Sequence, residues 1–296
     1  MSRFVATYIS HSAQLDELQV AYLNKELQSV FSITELCSKR LAPHVVDVTF
    51  TIDADWSSVK KALTPLIDSQ KQIDIIVQND DSHRQKKLVV FDMDSTLIYQ
   101  EVIEMIAAYA NVEPQVAEIT NRAMNGELDF AQSLQERVSL LKGLEINPLY
   151  DAIKPRLQVT NGVPELCESL KAHGVKLAVL SGGFTPFAEY IKNQLHLDYA
   201  RANNLETQDG KLTGTTKGPV VDGNCKAETL RSLCKQYGIH PQDTLMVGDG
   251  GNDLPAMAAA GFGVAWHAKP RVQQLAPCKL NTESMTNLLY VMGYIS

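Results

Sequence analysis

The stretch Leu88–Leu97, reading Leu-Val-Val-Phe-Asp-Met-Asp-Ser-Thr-Leu, constrains this chain more than any other. Leu88-Val89-Val90-Phe91 is an unbroken apolar run of β-branched and aromatic side chains. That is the pattern of a strand buried on both faces. The run stops abruptly at Asp92, with Asp94 two residues on. Open α/β sheets bind ligands beyond the carboxyl ends of their strands. Two carboxylates at such a tip suit a hard cation, a nucleophile with an acid–base partner, or both. Taken alone, the pair also suits a turn or a helix cap, and Ser95-Thr96 favours that reading.

Bulk properties narrow the field. The chain has 296 residues, room for two domains, and a net charge of -7. A nucleic-acid partner is not expected, because phosphate backbones call for a surplus of Lys and Arg. No apolar stretch approaches the ~20 residues of a membrane span, so no membrane partner is expected either. The N-terminus, Met-Ser-Arg-Phe-Val-Ala-Thr, carries no signal-peptide h-region. The five cysteines are scattered, without Cys-x-x-Cys spacing, which fits reduced thiols and a cytoplasmic location. The histidines lack paired spacing, so no zinc site is expected.

Residues 1–80 read as a separate small unit. Strands are expected at Phe4–Ile9, Ile33–Leu41, Val45–Ile52 and Ile73–Val77. Helices are expected at Leu15–Val30, with Leu15, Leu18, Leu23 and Leu27 apolar, and at Trp56–Ile67, with Val59, Leu63 and Leu66 on one side. The order βαββαβ suggests a ferredoxin-like sandwich. It resembles the ACT-type modules that bind amino acids, although the loop Ser10–Gln14 lacks the glycine many of those modules carry. A dimerising role, giving a homodimer through this unit, is an equal expectation. The polar stretch Asn79–Gln85 marks a linker, placed at 81–86, and a second domain follows over 87–296.

Beyond the central strand, helical patterns span Val102–Ala110, Gln115–Met124, Leu128–Leu141 and Ile146–Leu157. An all-helical insert over about 101–159 reads as a lid that excludes water from the site. The core is then 87–100 and 160–296. On the third helix Phe130, Leu134 and Arg137 share one face. An Arg on an apolar face either snorkels to solvent or meets a buried carboxylate.

The core continues with a helix at Gly162–His173 and a strand at Val175–Leu180 ending in Ser181-Gly182-Gly183-Phe184. A hydroxyl and exposed backbone N–H groups there suit an anion, or simply a tight turn. Tyr199–Lys217 reads as a hairpin turning at Gln208-Asp209-Gly210-Lys211. Cys225–Tyr237 is a helix with Lys226 in its first turn, against the helix dipole, which points to an anion facing Lys226 or to plain solvent exposure. The strand Thr244–Val247 ends in Gly248-Asp249-Gly250-Gly251-Asn252-Asp253, and its glycines allow close backbone approach to a metal or phosphate. A short strand at Phe262–Ala265 and a last helix at Thr282–Met292 complete the chain.

Three strands thus end at Asp92, Ser181 and Asp249, with Lys226 opening a helix between the last two. This order resembles the four motifs of the haloacid-dehalogenase-like phosphatases, over residues 86–296. Within that superfamily, Glu101, Met124-Asn125-Gly126, Leu128-Asp129-Phe130, Arg137-Val138 and Ser181–Phe184 look like the branch that hydrolyses O-phospho-L-serine in the last step of serine biosynthesis. The resemblance implies an α/β fold: a Rossmann-like core with a helical cap insert, preceded by the small α+β ACT-like domain. It implies Asp92 as nucleophile and Asp94 as proton donor and acceptor. Mg²⁺ would be held by Asp92, Asp249 and the main-chain carbonyl of Asp94, with Asp253 in the outer shell. Ser181, Gly182, Lys226 and Asn252 would serve the phosphate and its loop. Glu101 would meet the substrate ammonium, Arg137 its carboxylate, and Met124 and Phe130 would close over it. Two rivals stand beside this reading. One is action on another small phosphorylated metabolite, including phosphotransfer. The other is a binding protein carrying an inactive phosphatase fold.

Overall fold

The computed structural model describes residues 1–31, 33 and 35–294. Residues 2–79 alternate strands and helices: β1 (Ser2–Ser10), α1 (Glu17–Val30), β2 (Leu36–Ala42), β3 (Val45–Ile52), α2 (Trp56–Ser69) and β4 (Ile73–Asn79). The four strands form an antiparallel sheet in the order β2-β3-β1-β4, the ferredoxin-like arrangement. Strand β2 begins at Leu36, later than the expected Ile33, and Thr34 within that expectation lies outside the described residues. Helix α1 starts at Glu17, where Asp16 and Gln19 close a reciprocal capping box. Leu15 therefore precedes the helix and is buried, whereas Leu18 is 83 % exposed and takes no part in the core.

Alternate residues of β1 face opposite ways. Phe4, Ala6 and Tyr8 pack under α1 and α2 with Leu23, Leu27, Val59 and Leu63. The other face is covered by the chain's C-terminal tail. Arg84 bridges Asp47 (2.7 Å) to the carbonyls of Tyr290 (2.9 Å) and Val291 (3.2 Å), and the Gln78 amide donates to Val291 O (2.6 Å). Asp74 accepts the Asn281 N–H (2.6 Å) and pairs with His11 (3.0 Å).

The larger sheet has seven strands in the order β11-β10-β9-β5-β6-β7-β8. They are β5 (Leu88–Phe91), β6 (Lys176–Phe184), β7 (Tyr199–Gln208), β8 (Lys211–Lys217), β9 (Thr244–Gly248), β10 (Phe262–Trp266) and β11 (Cys278–Leu280). Within it β5 pairs in parallel with both β6 and β9. Leu88 and Val90 enter one apolar cluster, with Leu230 and Leu233 of α9 (Gly223–Tyr237). Val89 and Phe91 enter another, with Leu166 and Leu170 of α7 (Val163–Ala172). The strand is buried on both faces, as its sequence requires. The β7–β8 hairpin turns at Asp209 (φ 51°) and Gly210 (φ 76°), the two positive φ values of a type I′ turn.

Between β5 and α7 lie four helices: α3 (Val102–Ala110), α4 (Glu113–Met124), α5 (Phe130–Ser139) and α6 (Ile146–Ile153). The two strands of chain that join them to the core run side by side: Tyr99 N–H donates to Gln158 O (3.0 Å) and Thr160 N–H to Leu97 O (2.9 Å). Three expectations need correction. Strand β6 does not stop at Leu180 but continues to Phe184, with its register to β7 broken between those residues. Helix α8 (Thr185–Gln194) follows it directly, burying Phe187, Ala188 and Ile191. The expected long last helix is only a short turn, Met285–Asn287, and the four-residue α12 (Leu288–Val291). Chain between β10 and that turn is spent instead on α11 (Pro270–Leu275) and on β11.

Candidate active site

Strand order in the large sheet reverses at β5, whose neighbours β6 and β9 lead to opposite edges. A ligand crevice is expected at that switch point. Asp92 sits there at the tip of β5, and Asp249 follows the last residue of the adjacent β9. A cleft of ≈ 660 Å³ opens above them, between the strand tips and the four-helix segment.

Asp92 is buried and caps a single wide turn, Met93–Leu97, closed by Ile98 N–H to Met93 O (3.1 Å). Its Oδ1 is held twice, by the Met93 N–H (2.8 Å) and by Lys226 Nζ (2.8 Å). Inside the turn Ser95 takes φ 55°, an uncommon value for a residue with a side chain. Its hydroxyl donates to Glu101 Oε1 (2.7 Å). Asp94 Oδ1 accepts the Val102 N–H (3.2 Å). Burial first, then the charges of Glu101 and Asp92, push the Asp94 carboxyl well above the ordinary carboxylate range, against the Val102 hydrogen bond and Lys226.

Lys226 has no exposure at all, so the anion reading, not solvent exposure, describes it. Its ammonium bridges Asp92 (2.8 Å) and Asp253 (2.7 Å). Burial disfavours its charge, but the two carboxylates outweigh that and raise its pKa. Both oxygens of Asp253 are engaged: Oδ1 takes Lys226 and Oδ2 takes the Gly250 N–H (3.0 Å). This packing needs a glycine at 248: a Cβ there would lie 2.2 Å from Asp253 Oδ2.

Lys226 bridges Asp92 and Asp253, and oxygens of Asp92, Asp249 and Asp253 lie within 4.8 Å of one another. Burial, then Asp92, Asp253 and Glu101, push Asp249 up to about 8. A buried cluster with surplus negative charge and hard oxygen donors fits a divalent cation. Asp92 and Asp249 line the open cleft, whereas Asp253 is fully buried behind its wall.

Ser181 is fully buried, and its Oγ accepts the Gly183 N–H (2.9 Å). Asn203 Nδ2 donates to Gly182 O (2.9 Å), so the peptide between Gly182 and Gly183 is fixed from both sides. Asn203 Oδ1 also accepts the Val221 N–H (2.8 Å), tying this loop to the chain that leads into α9. Gly182 leaves room for the lid: a Cβ there would lie 2.7 Å from the Phe130 ring. Asn252 lines the cleft nearby.

The lid supplies Met124, Phe130 and Arg137, which line the same cleft as Glu101. Arg137 is half-buried. Its Nε donates to Ser133 O (3.2 Å), and none of the described carboxylates lies within 4.0 Å of its guanidinium. It neither snorkels to bulk water nor pairs within the protein, but faces the cleft opposite the carboxylates. Burial lowers its pKa, while Glu101 and Asp94 oppose that. Glu101 is raised, chiefly by burial, against the Ser95 hydroxyl that lowers it.

All twelve expected site residues fall around this one cleft; Ser181, Lys226 and Asp253 stand behind its wall. The Ser95 contact to Glu101 and the Asn203 clamp were missed. A Ser within the Asp-x-Asp turn offered a faint signal for the first, and nothing in the sequence marked the second.

The haloacid dehalogenase-like hydrolase family pattern matches residues 86–261. The chain is 56 % identical to the phosphoserine phosphatase of Saccharomyces cerevisiae, over 99 % of this chain and 97 % of that one. A solved HAD-family hydrolase from Salmonella enterica serovar Typhi superposes with a TM-score of 0.82 at 28 % identity, over 99 % of both chains. A phospho-aspartyl intermediate analogue of phosphoserine phosphatase superposes with a TM-score of 0.65 at 44 % identity, over 72 % of this chain and all of that one. By the family pattern over residues 86–261 and the 56 % identity over nearly the whole of both chains, the chain belongs to the phosphoserine phosphatases of the haloacid dehalogenase-like hydrolases.

Proposed function

We infer that the chain hydrolyses O-phospho-L-serine to L-serine and phosphate through a phosphoryl group carried on Asp92. One observation carries the substrate assignment. Glu101 and Arg137, opposite in charge and unpaired with each other, line the cleft above Asp92. A ligand satisfying both bears an ammonium, a carboxylate and, at its far end, a phosphate.

Asp92 Oδ2, the oxygen not held by Lys226 and Met93, attacks phosphorus. A carboxylate is ionised at neutral pH and needs no activating base. The bond to the serine oxygen breaks, and Asp94, whose pKa is pushed up by burial and by the Glu101 and Asp92 charges, gives that oxygen a proton. Asp94 then takes a proton from water, which attacks the aspartyl phosphate and releases phosphate. Lys226 holds Asp92 in line, and Ser181 and the Gly182 N–H meet the oxygens of the transferring group. Asn252 and Asp253 hold the loop around it. Asp92, Asp249 and the main-chain carbonyl of Asp94 would hold Mg²⁺, which would supply charge neutralisation between the anionic nucleophile and the anionic ester. Met124 and Phe130 cover the substrate.

Residues 1–80 form the ACT-like unit in this reading, 81–86 the linker, and about 101–159 the cap. Unit and core share buried contacts through Arg84 and Gln78, so the chain works as one body.

The reading is tested by phosphate release from O-phospho-L-serine, with Mg²⁺ and with chelator, beside monoesters lacking the amino or the carboxyl group. Metal-dependent release with strong preference for phosphoserine is expected. Arg137→Ala and Glu101→Gln should each lower kcat/KM for phosphoserine about 10²-fold, the effect of leaving a charged hydrogen-bond partner unmet. Each should change turnover of the ester lacking its own partner group far less. Equal turnover of all esters by the wild type would discard the substrate assignment.

A further inference from the structure

The cleft presents an incoming phosphate ester with the wrong sign of charge. Its lining holds six carboxylates, Asp92, Asp94, Glu101, Asp129, Asp222 and Asp249, against two cations, Arg137 and Lys269. The substrate class inferred above is itself anionic, with a phosphate and a carboxylate against one ammonium. Lys226, held against Asp92 behind the cleft wall, and a bound divalent cation would reduce the mismatch at the floor of the cleft, not at its mouth.

Arg137 is half-buried on α5 and faces Glu101. Lys269 is different. It is exposed, and it immediately precedes α11 on the core side of the cleft. Its Nζ lies 3.8 Å from Sδ of Met124, the last residue of α4 and 63 % exposed. Lys269 therefore stands at the lip and meets the lid across the opening. No described carboxylate lies within 4.0 Å of it. An ammonium without an anionic partner, turned toward an acidic cleft, has its field free for an arriving anion.

We propose that Lys269 is the capture residue of this cleft, drawing the dianionic phosphate monoester through an otherwise acidic mouth. The inference rests on the substrate class given above. A surface lysine elsewhere would contribute little, because water and salt screen it. At the mouth of a cleft with low-dielectric walls, field lines are focused, and one sign of charge changes the rate of encounter by 10- to 10³-fold. A single lysine belongs at the lower end of that range. Its effect must fade with salt, since the screening length is ≈ 8 Å at 0.15 M ionic strength.

The test is steady-state kinetics on O-phospho-L-serine with Mg²⁺, for wild type, Lys269→Met and Lys269→Arg, from low to physiological ionic strength. Lys269→Met should lower kcat/KM about tenfold at low salt. The loss should fall on KM, with kcat changed by less than about twofold, and the gap should narrow as salt rises. Lys269→Arg should restore kcat/KM to within about twofold of wild type, because it keeps the charge. A Met variant with wild-type kcat/KM at low salt would overturn the proposal. So would a loss that salt does not change, which would make Lys269 a packing partner of Met124. If wild type spares phosphoserine but hydrolyses another phosphate monoester, the substrate assignment fails, and the same comparison on that ester decides Lys269 separately.

Discussion

Asp92→Asn lowers phosphate release from O-phospho-L-serine by roughly 10⁴-fold or more, the scale of losing a covalent nucleophile. The amide keeps the shape of the carboxylate, so the β5 tip and the turn behind it stay in place. It lacks the anionic oxygen that attacks phosphorus. It also replaces one of the two charges that Lys226 bridges, at 2.8 Å from Asp92 and 2.7 Å from Asp253. Release assays on the purified variant, with circular dichroism to show the fold, check this. A variant within tenfold of wild type would mean that Asp92 only holds a metal.

Lys226→Met damages stability as well as activity. The side chain has no exposure, and its ammonium bridges two buried carboxylates. Removing one member of a buried ionic group costs about 3–5 kcal/mol, because the remaining charges stay buried without a partner. Methionine fills much of the volume, so the loss reflects charge and not a cavity. Urea denaturation should show a midpoint well below that of wild type with an unchanged slope. Phosphate release should fall at the same time, since Asp92 loses the group that holds its Oδ1. Lys226→Arg is not a rescue in this site: its planar fork is too broad for a space shaped to a single ammonium. An unchanged midpoint for Lys226→Met would show that Asp92 and Asp253 are protonated or otherwise compensated in the native protein.

The parts of this site that were legible in the sequence share one physical cause. A strand buried on both faces admits only apolar side chains, so a carboxylate directly after such a run marks its exit. That placed Asp92 and Asp249 at strand tips, and the sheet makes those strands neighbours. For Lys226, the first-turn position opposes the helix dipole, which left an anion and solvent exposure both open, and the family resemblance favoured the anion. The two anions turned out to be Asp92 and Asp253, a pairing no spacing rule reveals, since 161 positions of sequence span the three residues and the sheet alone brings them together. Arg137 was legible as an anomaly on an apolar helix face. Its target, a substrate carboxylate, came from the family resemblance alone, because helix spacing left solvent and a buried carboxylate both open.

Other features escaped for equally specific reasons. The extension of β6 through Ser181-Gly182-Gly183 follows from a register break against β7, which two glycines permit but do not announce. Helix α8 begins immediately after that strand, so no loop separated the two periodicities. Leu18 is apolar yet exposed, because about two and a half turns separate it from Leu27, which places it opposite the buried face of Val20, Leu23 and Leu27. The short C-terminal helix reflects tertiary demand. Its carbonyls at Tyr290 and Val291 serve Arg84 and Gln78 from the N-terminal half of the chain.

The most direct measurement follows the phosphoryl group itself. Enzyme mixed with phosphorus-labelled O-phospho-L-serine and Mg²⁺ is quenched in acid within one turnover, and the labelled peptide is identified. The expected result is a hydroxylamine-labile label on the peptide containing Asp92, present in wild type and absent in Asp92→Asn. Full turnover with no labelled protein at any quench time, or label on a peptide that lacks Asp92, would contradict it.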